Sequence, residues 1–181
     1  MTFLSTTVRA THLLTNAAWF GGSLMGATGL GAAAAVGDDP EERAEISSDG
    51  WSTWGPIQGG AIALHLVSGL AIVADNRRRT LLHPPTTAAV GIKTAITAAA
   101  VAASAAAYLN GHALGEAVKR QDDDPAAHEE ARTRRDRLRW LRWATPAATG
   151  GLLVLDAYLG EQQRGAAGLL DRPLASLRGR R

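Results

Sequence analysis

Five polar side chains lie inside or at the edge of otherwise apolar stretches of this 181-residue chain, and they are the residues best suited to chemistry. They are His12, Asn16, His65, Lys93 and Asp156. A polar or charged side chain within an apolar helix is costly in lipid, so it normally faces protein or a cavity and marks a functional candidate.

The two charged residues of this set are expected at similar depth. At about 1.5 Å per residue, Lys93 lies about 9 Å from the start of the third apolar stretch and Asp156 about 6 Å from the end of the fourth. In a hairpin order those two ends share one side, where His12 and Asn16 also begin. Both charges can reach separate waters by extending along the helix, or they can form a buried pair, or they can serve a substrate or a proton. Because the depths match, we expect Lys93 and Asp156 to be coupled.

His65 is expected near the middle of the second stretch, and it is the one low-prior candidate for cofactor binding. A haem needs an axial histidine and often a second one facing it. We expect His12 and His112 near the ends of their helices, and no two histidines fall three or four residues apart. The sequence therefore favours no cofactor and no metal, and a hydrogen-bonded core histidine with Asn16 as the favoured partner. The alternative partners are Thr15 and Ser104.

No catalytic motif stands out, so no catalytic residue is assigned and an enzyme is the less favoured class. The chain has no cysteine, which excludes disulfides, thiolate metal sites and cysteine nucleophiles. It has neither a phosphate-binding loop nor a serine nucleophile motif. Its net charge of +2 is too small to indicate nucleic acid binding.

The elements that must position these residues are four long apolar stretches separated by charged segments. Within them only Lys93 and Asp156 carry formal charges, and about 20 apolar residues in a helix suffice to cross a bilayer. The pattern predicts an all-α, polytopic membrane four-helix bundle; a soluble bundle with Ala-rich seams is the alternative. The first stretch is expected to be a retained helix and not a signal peptide. The four predicted spans are 13–36, 55–74, 87–109 and 143–160.

An internal repeat relates the two halves of the chain. In each half an Asp-Pro turn and a polar segment lead to Trp-x-x-Trp, Pro and Gly-Gly at the start of a span. Asp and Pro favour a helix start, and Trp favours the headgroup zone. The repeat predicts two like hairpins with both Trp pairs, as interfacial aromatics, at one membrane face. The matching positions are Asp39, Pro40, Trp51, Trp54, Pro56, Gly59 and Gly60 in the first half, and Asp124, Pro125, Trp140, Trp143, Pro146, Gly150 and Gly151 in the second.

Three further segments complete the predicted organisation. A polar helical connector at 111–140 belongs to a membrane domain spanning 1–160, and we expect it to run on into the fourth span. A basic tail at 161–181 is expected to be partly disordered, with a short amphipathic piece at 169–177. Two Gly-x-x-x-Gly pairs make grooves for close helix packing within the bundle or between copies. These pairs are Gly22 with Gly26, and Gly55 with Gly59.

Two motifs carry a resemblance to a known group of proteins. They are the Trp51-x-x-Trp54-x-Pro56 stretch continued by Ala61-Ile62, His65-Leu66-Val67 and Gly69, and the run Ala18 to Gly26 with Asp38-Asp39-Pro40. Over roughly the first 110 residues the chain resembles uncharacterised actinobacterial four-helix integral membrane proteins. The resemblance implies four transmembrane helices in a bacterial inner membrane. The layout is more remotely similar to that of anthrone-oxygenase-like membrane proteins, and no catalytic residue is carried over from them.

Three functions remain open at the level of sequence. The favoured hypothesis is a structural, accessory or partner-binding bundle, and the others are a redox or oxygenase-like enzyme using His65 and a small transporter or proton-coupled carrier. The expected partners are the lipid bilayer and a second copy or another membrane protein, without nucleic acid. Lys and Arg counts on the two sides tie, and the compact Arg77–Arg79 loop favours cytoplasmic termini.

Overall fold

Four long helices make up the chain, as a computed structural model shows for residues 3–77 and 84–164, with side chains described for 3–77 and 86–158. No strand occurs in these ranges. The all-α prediction is therefore confirmed. The predicted amphipathic piece at 169–177 and most of the basic tail lie outside the described residues, as do Arg78 and Arg79.

The first helical stretch begins earlier than the sequence predicted. Helix α1 spans Phe3–Met25 and continues through a π-helical turn, Gly26–Leu30, into the short helix α2, Gly31–Ala34. Residues 3–12, which lie before the predicted span, are thus already helical. His12 consequently lies about 14 Å along α1, at 1.5 Å per residue, and not at its end.

Two helices begin at the predicted Asp-Pro turns. Helix α3 spans Pro40–Asp75, and the Asp39 carboxylate accepts hydrogen bonds from the Glu41 and Glu42 backbone amides at 2.9 Å each. Asp124 likewise accepts a bond of 2.9 Å from the Ala126 amide at the start of helix α5. These side chains satisfy amides that have no partner within the helix. Both predicted helix starts are confirmed.

The segment 111–140 is divided between two helices. Helix α4 spans Pro84–Val118 and contains the first part; helix α5 spans Pro125–Arg164 and contains the rest. Pro146 lies within α5 and does not end it. The polar segment of α5 and the predicted fourth span thus form one helix of 40 residues.

The four long helices pack around one axis. Helix α1 contacts α3 and α5, and α4 contacts the same two helices. The short connections make consecutive helices antiparallel, so α3 and α5 run in the same direction. At the end of the bundle where α3 and α5 begin, a small apolar core joins these helices to the end of α4. We call this the head cluster: Ala44, Leu114, Ala117, Val118 and Ala131.

The bundle has an interior rich in polar groups, and many large apolar side chains lie on its exterior. Among the larger buried side chains, polar ones are common, whereas many large apolar ones point outward. Leu70 is 72% exposed and Val154 69%. In a soluble bundle the apolar stripe would face the core. The buried polar residues are His12, Asn16, Ser23, His65, Ser68, Thr145 and Thr149.

Two of the described helices, α3 and α4, are long and apolar enough to cross a membrane. Length and composition alone are weak support, because the core helix of a soluble protein has the same properties. Here only 17% of the apolar window in α3 and 6% of that in α4 is buried, so neither is such a core helix. Helices α1 and α5 have no comparably long segment that is as apolar.

Candidate functional site

Two histidines meet face to face in the bundle interior, where α1 crosses α3. The rings of His12 and His65 stack with their centroids 3.9 Å apart and their planes at 15°. We call them the histidine pair. The sequence placed His12 near a helix end and predicted no second histidine at the depth of His65; that expectation is wrong, because α1 begins at Phe3.

The histidine pair is held by reciprocal hydrogen bonds to the backbone. Nδ1 of His12 donates to the His65 carbonyl oxygen at 3.1 Å, and Nδ1 of His65 donates to the His12 carbonyl oxygen at 3.2 Å. The Ser68 hydroxyl also lies 3.2 Å from Nδ1 of His12. A carbonyl oxygen can only accept, so Nδ1 carries the hydrogen in both rings. In a neutral ring the lone pair then resides on Nε2.

Helical spacing explains how the chain brings these groups together. His12, Asn16, Trp19 and Ser23 recur at intervals of three and four residues, and all four are buried on one face of α1. The positions of His65 and Ser68 follow the same spacing on α3. A Cβ at Gly69 would lie only 3.1 Å from Cε1 of His12, so the glycine provides the space that the ring occupies.

An ion pair lies close to the histidine pair. Nζ of Lys93 on α4 bonds Oδ1 of Asp156 on α5, with side-chain exposures of 24% and 14%. Both charges lie within electrostatic range of both imidazole rings. Each of the four long helices thereby contributes one ionisable group. We call these four residues the core cluster.

Asn16 is the one predicted member of the polar set that the described residues leave without a partner. It is fully buried, and neither its amide nitrogen nor its oxygen has a hydrogen-bond partner; Oδ2 of Asp156 is buried without one as well. The expected bond between His65 and Asn16 is wrong. The register between α1 and α3 instead places the carbonyl group of His12, one helical turn before Asn16, against the His65 ring.

The alternative partners suggested for His65 are also engaged elsewhere. Thr15 donates to the Thr11 carbonyl oxygen of its own helix at 2.7 Å. Ser104 accepts a hydrogen bond of 3.1 Å from Nε1 of Trp19, and its hydroxyl lies 3.3 Å from that of Thr145. Sequence reasoning did not single out Trp19, Ser68 or Thr145, although their spacing from the histidines on a common helical face is visible in the chain.

The first Gly-x-x-x-Gly groove holds tryptophan rings. A Cβ at Gly22 would overlap the indole of Trp54, and one at Gly26 would overlap that of Trp51. Nε1 of Trp54 donates to Oε1 of Gln58 at 3.1 Å. This pair of the predicted interfacial aromatics therefore also forms the contact between α1 and α3.

The remaining predicted packing and interfacial residues point outward. Among the described residues, no atom lies within 4 Å of a Cβ built on Gly55 or Gly59, so this second groove takes no part in packing within that part of the chain. Trp140 and Trp143 are exposed. Both features fit a surface that meets lipid or another protein.

The geometry of the core cluster restricts which metal ions, cofactors or small molecules it can bind. Within the described ranges, no group of three or more His, Asp and Glu side chains is placed to hold a metal ion. The two histidine rings face each other, whereas the two axial ligands of one haem approach the iron from opposite sides. The arrangement suits proton exchange and hydrogen bonding to a small polar ligand.

Comparison with protein-family models, with curated proteins and with solved structures gives no match to this chain.

Proposed function

We propose that the chain is a four-span integral membrane protein of the bacterial inner membrane. The distribution of polarity supports this, because seven polar side chains are buried inside the bundle while many Leu and Val side chains point outward. Helix α1 carries the buried polar residues His12 and Asn16, and α5 carries buried Thr145 and Thr149. Those groups face the bundle axis, and the outward side of α1 carries Leu13 and Leu14.

We infer that its activity is that of a small proton-coupled carrier, and the core cluster is the observation that carries this inference. Ionisable residues inside a membrane are expensive and usually mark pathways for protons or substrates. Here there are four, one on each long helix: a stacked histidine pair joins α1 to α3, an ion pair joins α4 to α5, and the two pairs interact electrostatically.

The histidine pair is suited to handle one proton at a time. Nε2 of either ring can accept a proton while its Nδ1 stays bonded to a backbone carbonyl. Protonation of both rings would place two positive charges about 4 Å apart, which is strongly unfavourable. Asp156 supplies the nearby negative charge when it separates from Lys93. Rocking of one hairpin against the other would present the site to alternate sides.

Proton flux in sealed proteoliposomes tests the carrier hypothesis. The flux is measured with a trapped pH-sensitive dye under an imposed potential, for wild type, His12→Gln and His65→Gln. Both substitutions should abolish the flux, whereas Leu66→Ala on the apolar exterior should retain it. Proton flux in a variant that combines His12→Gln and His65→Gln would show that the histidine pair takes no part in the mechanism. Absence of proton flux in the wild type would reject the carrier hypothesis.

An accessory or partner-binding role is the second candidate, and the unfilled groove at the second Gly-x-x-x-Gly pair of α3 favours it. Gly55 and Gly59 leave the surface of α3 free for close approach by another helix. Isolation of the protein from native membranes with a bound second copy or membrane protein, lost in Gly59→Leu, would support this role. Both roles are compatible with the four-span arrangement.

A further inference from the structure

We propose that Asn16 is the centre of an internal hydration site, at which water joins the histidine pair to the hydrogen-bonded side chains of Trp19, Ser104 and Thr145. The role of this water in proton transfer rests on the proposed carrier function. Its presence rests on the structure of the interior.

The Asn16 side chain is the first observation that points to a ligand. It is fully buried, and neither polar atom of its amide bonds to the protein. An amide offers two hydrogen-bond donors and an oxygen with two lone pairs. Buried polar groups in native proteins are nearly always satisfied, and those without a protein partner are commonly satisfied by ordered water.

The position of Asn16 on α1 is the second observation. His12 precedes it by one turn, about 6 Å along the axis, and Trp19 follows about 4.5 Å beyond it. On the far side, Nε1 of Trp19 donates to Ser104 Oγ, which meets Thr145 Oγ1 at 3.3 Å. On the buried face of α1, Asn16 therefore lies between His12, which belongs to the histidine pair, and Trp19, which bonds to Ser104 of α4.

The charges around the site select a neutral ligand. Lys93 and Asp156 neutralise each other in their ion pair, so the core cluster has no unbalanced charge to attract an ion when both histidines are neutral. Water matches the amide because it both donates and accepts. Oδ2 of Asp156 is buried without a partner and offers one more acceptor in the same interior.

Silver ions provide a direct test, because the chain contains no cysteine and an introduced cysteine supplies its single thiol. Ag⁺ reaches a thiol through water and not through hydrocarbon. Asn16→Cys in the full-length protein should be labelled completely by Ag⁺. Leu152→Cys, at an equally buried apolar position of α5, should stay unlabelled. Equal labelling of both variants, or of neither, overturns the proposal.

A measurement on the unsubstituted protein covers the case in which Asn16→Cys does not fold. In detergent micelles, the side-chain amide protons of Asn16 should show nuclear Overhauser cross-peaks to water. Absence of these cross-peaks overturns the proposal, as would cross-peaks to a bound solute in place of water. Hydration at Asn16 without proton flux would leave this inference intact and reject the carrier function alone.

Discussion

The ion pair between Lys93 and Asp156 joins α4 to α5 through two side chains that are each mostly buried. Its attraction offsets the cost of removing both charges from water. If one partner is lost, the other remains as a lone charge in an apolar interior, which costs more than the loss of the pair as a whole.

We therefore expect Lys93→Met and Asp156→Leu each to lower the free energy of unfolding by about 2–3 kcal/mol, somewhat less than for a fully buried pair, because Lys93 keeps partial exposure. The double variant should lose less than either single variant, because it leaves no unpaired charge. Thermal unfolding in detergent measures all three. Additive losses would show two independent side chains that each reach water.

The His65 ring contributes one hydrogen bond and one stacking contact, so its removal should have a modest cost. We expect His65→Leu to lower the free energy of unfolding by about 1–2 kcal/mol, the usual scale for a buried hydrogen bond. His65→Asn retains a donor near the position of Nδ1 and should recover part of the loss. Thermal unfolding provides the values. A Soret band in the wild type that disappears in His65→Leu would instead indicate a bound haem.

At the scale of elements, α1 and α3 interlock through tryptophan and glycine. Trp54 lies over Gly22 and Trp51 over Gly26, while Leu30 packs in the reverse direction against Gly50. The fit depends on the lack of a Cβ at three glycines. It also determines the register that places His12 opposite His65.

Alanine at Gly22 should therefore disrupt this interface. We expect Gly22→Ala to destabilise the protein by about 1–3 kcal/mol, the typical cost of overpacking. The matched control is Gly21→Ala, where no atom lies within 4 Å of the new Cβ; it should stabilise by up to about 1 kcal/mol through helix propensity. Equal effects of the two substitutions in thermal unfolding would show that Trp54 does not occupy the groove in solution.

The sequence was most informative where a structural signal is local. Asp39 and Asp124 mark helix starts because the capping bond joins neighbouring residues. The depth of His12 was misjudged because it depends on where α1 begins, and residues 3–12 are too polar to read as part of a span. Asn16 does not bond His65 because of the register between α1 and α3. That register depends on the contacts of Trp51 and Trp54 with the glycines, which no local sequence pattern reveals.

At the scale of the whole molecule, α3 and α5 run in parallel, and their tryptophans lie toward the end that holds the head cluster. We expect Trp51→Cys and Trp140→Cys to react equally with a membrane-impermeant thiol reagent in sealed vesicles, from one side only. Trp51→Cys also removes the contact of the Trp51 ring with Gly26. Ser52→Cys, at the exposed neighbouring position, keeps that contact and should react from the same side. Reaction of the two tryptophan positions from opposite sides would contradict the four-span arrangement.

The lengths of α3 and α5, 36 and 40 residues, have a mechanical consequence. At 1.5 Å per residue they measure about 54 and 60 Å, whereas the hydrocarbon core is about 30 Å thick. In the four-span arrangement a large part of each helix stands outside the bilayer, clamped by the head cluster. Because no loop interrupts either helix, we expect a rotation of the outer part of α3 to move His65, and a rotation of the outer part of α5 to move Asp156.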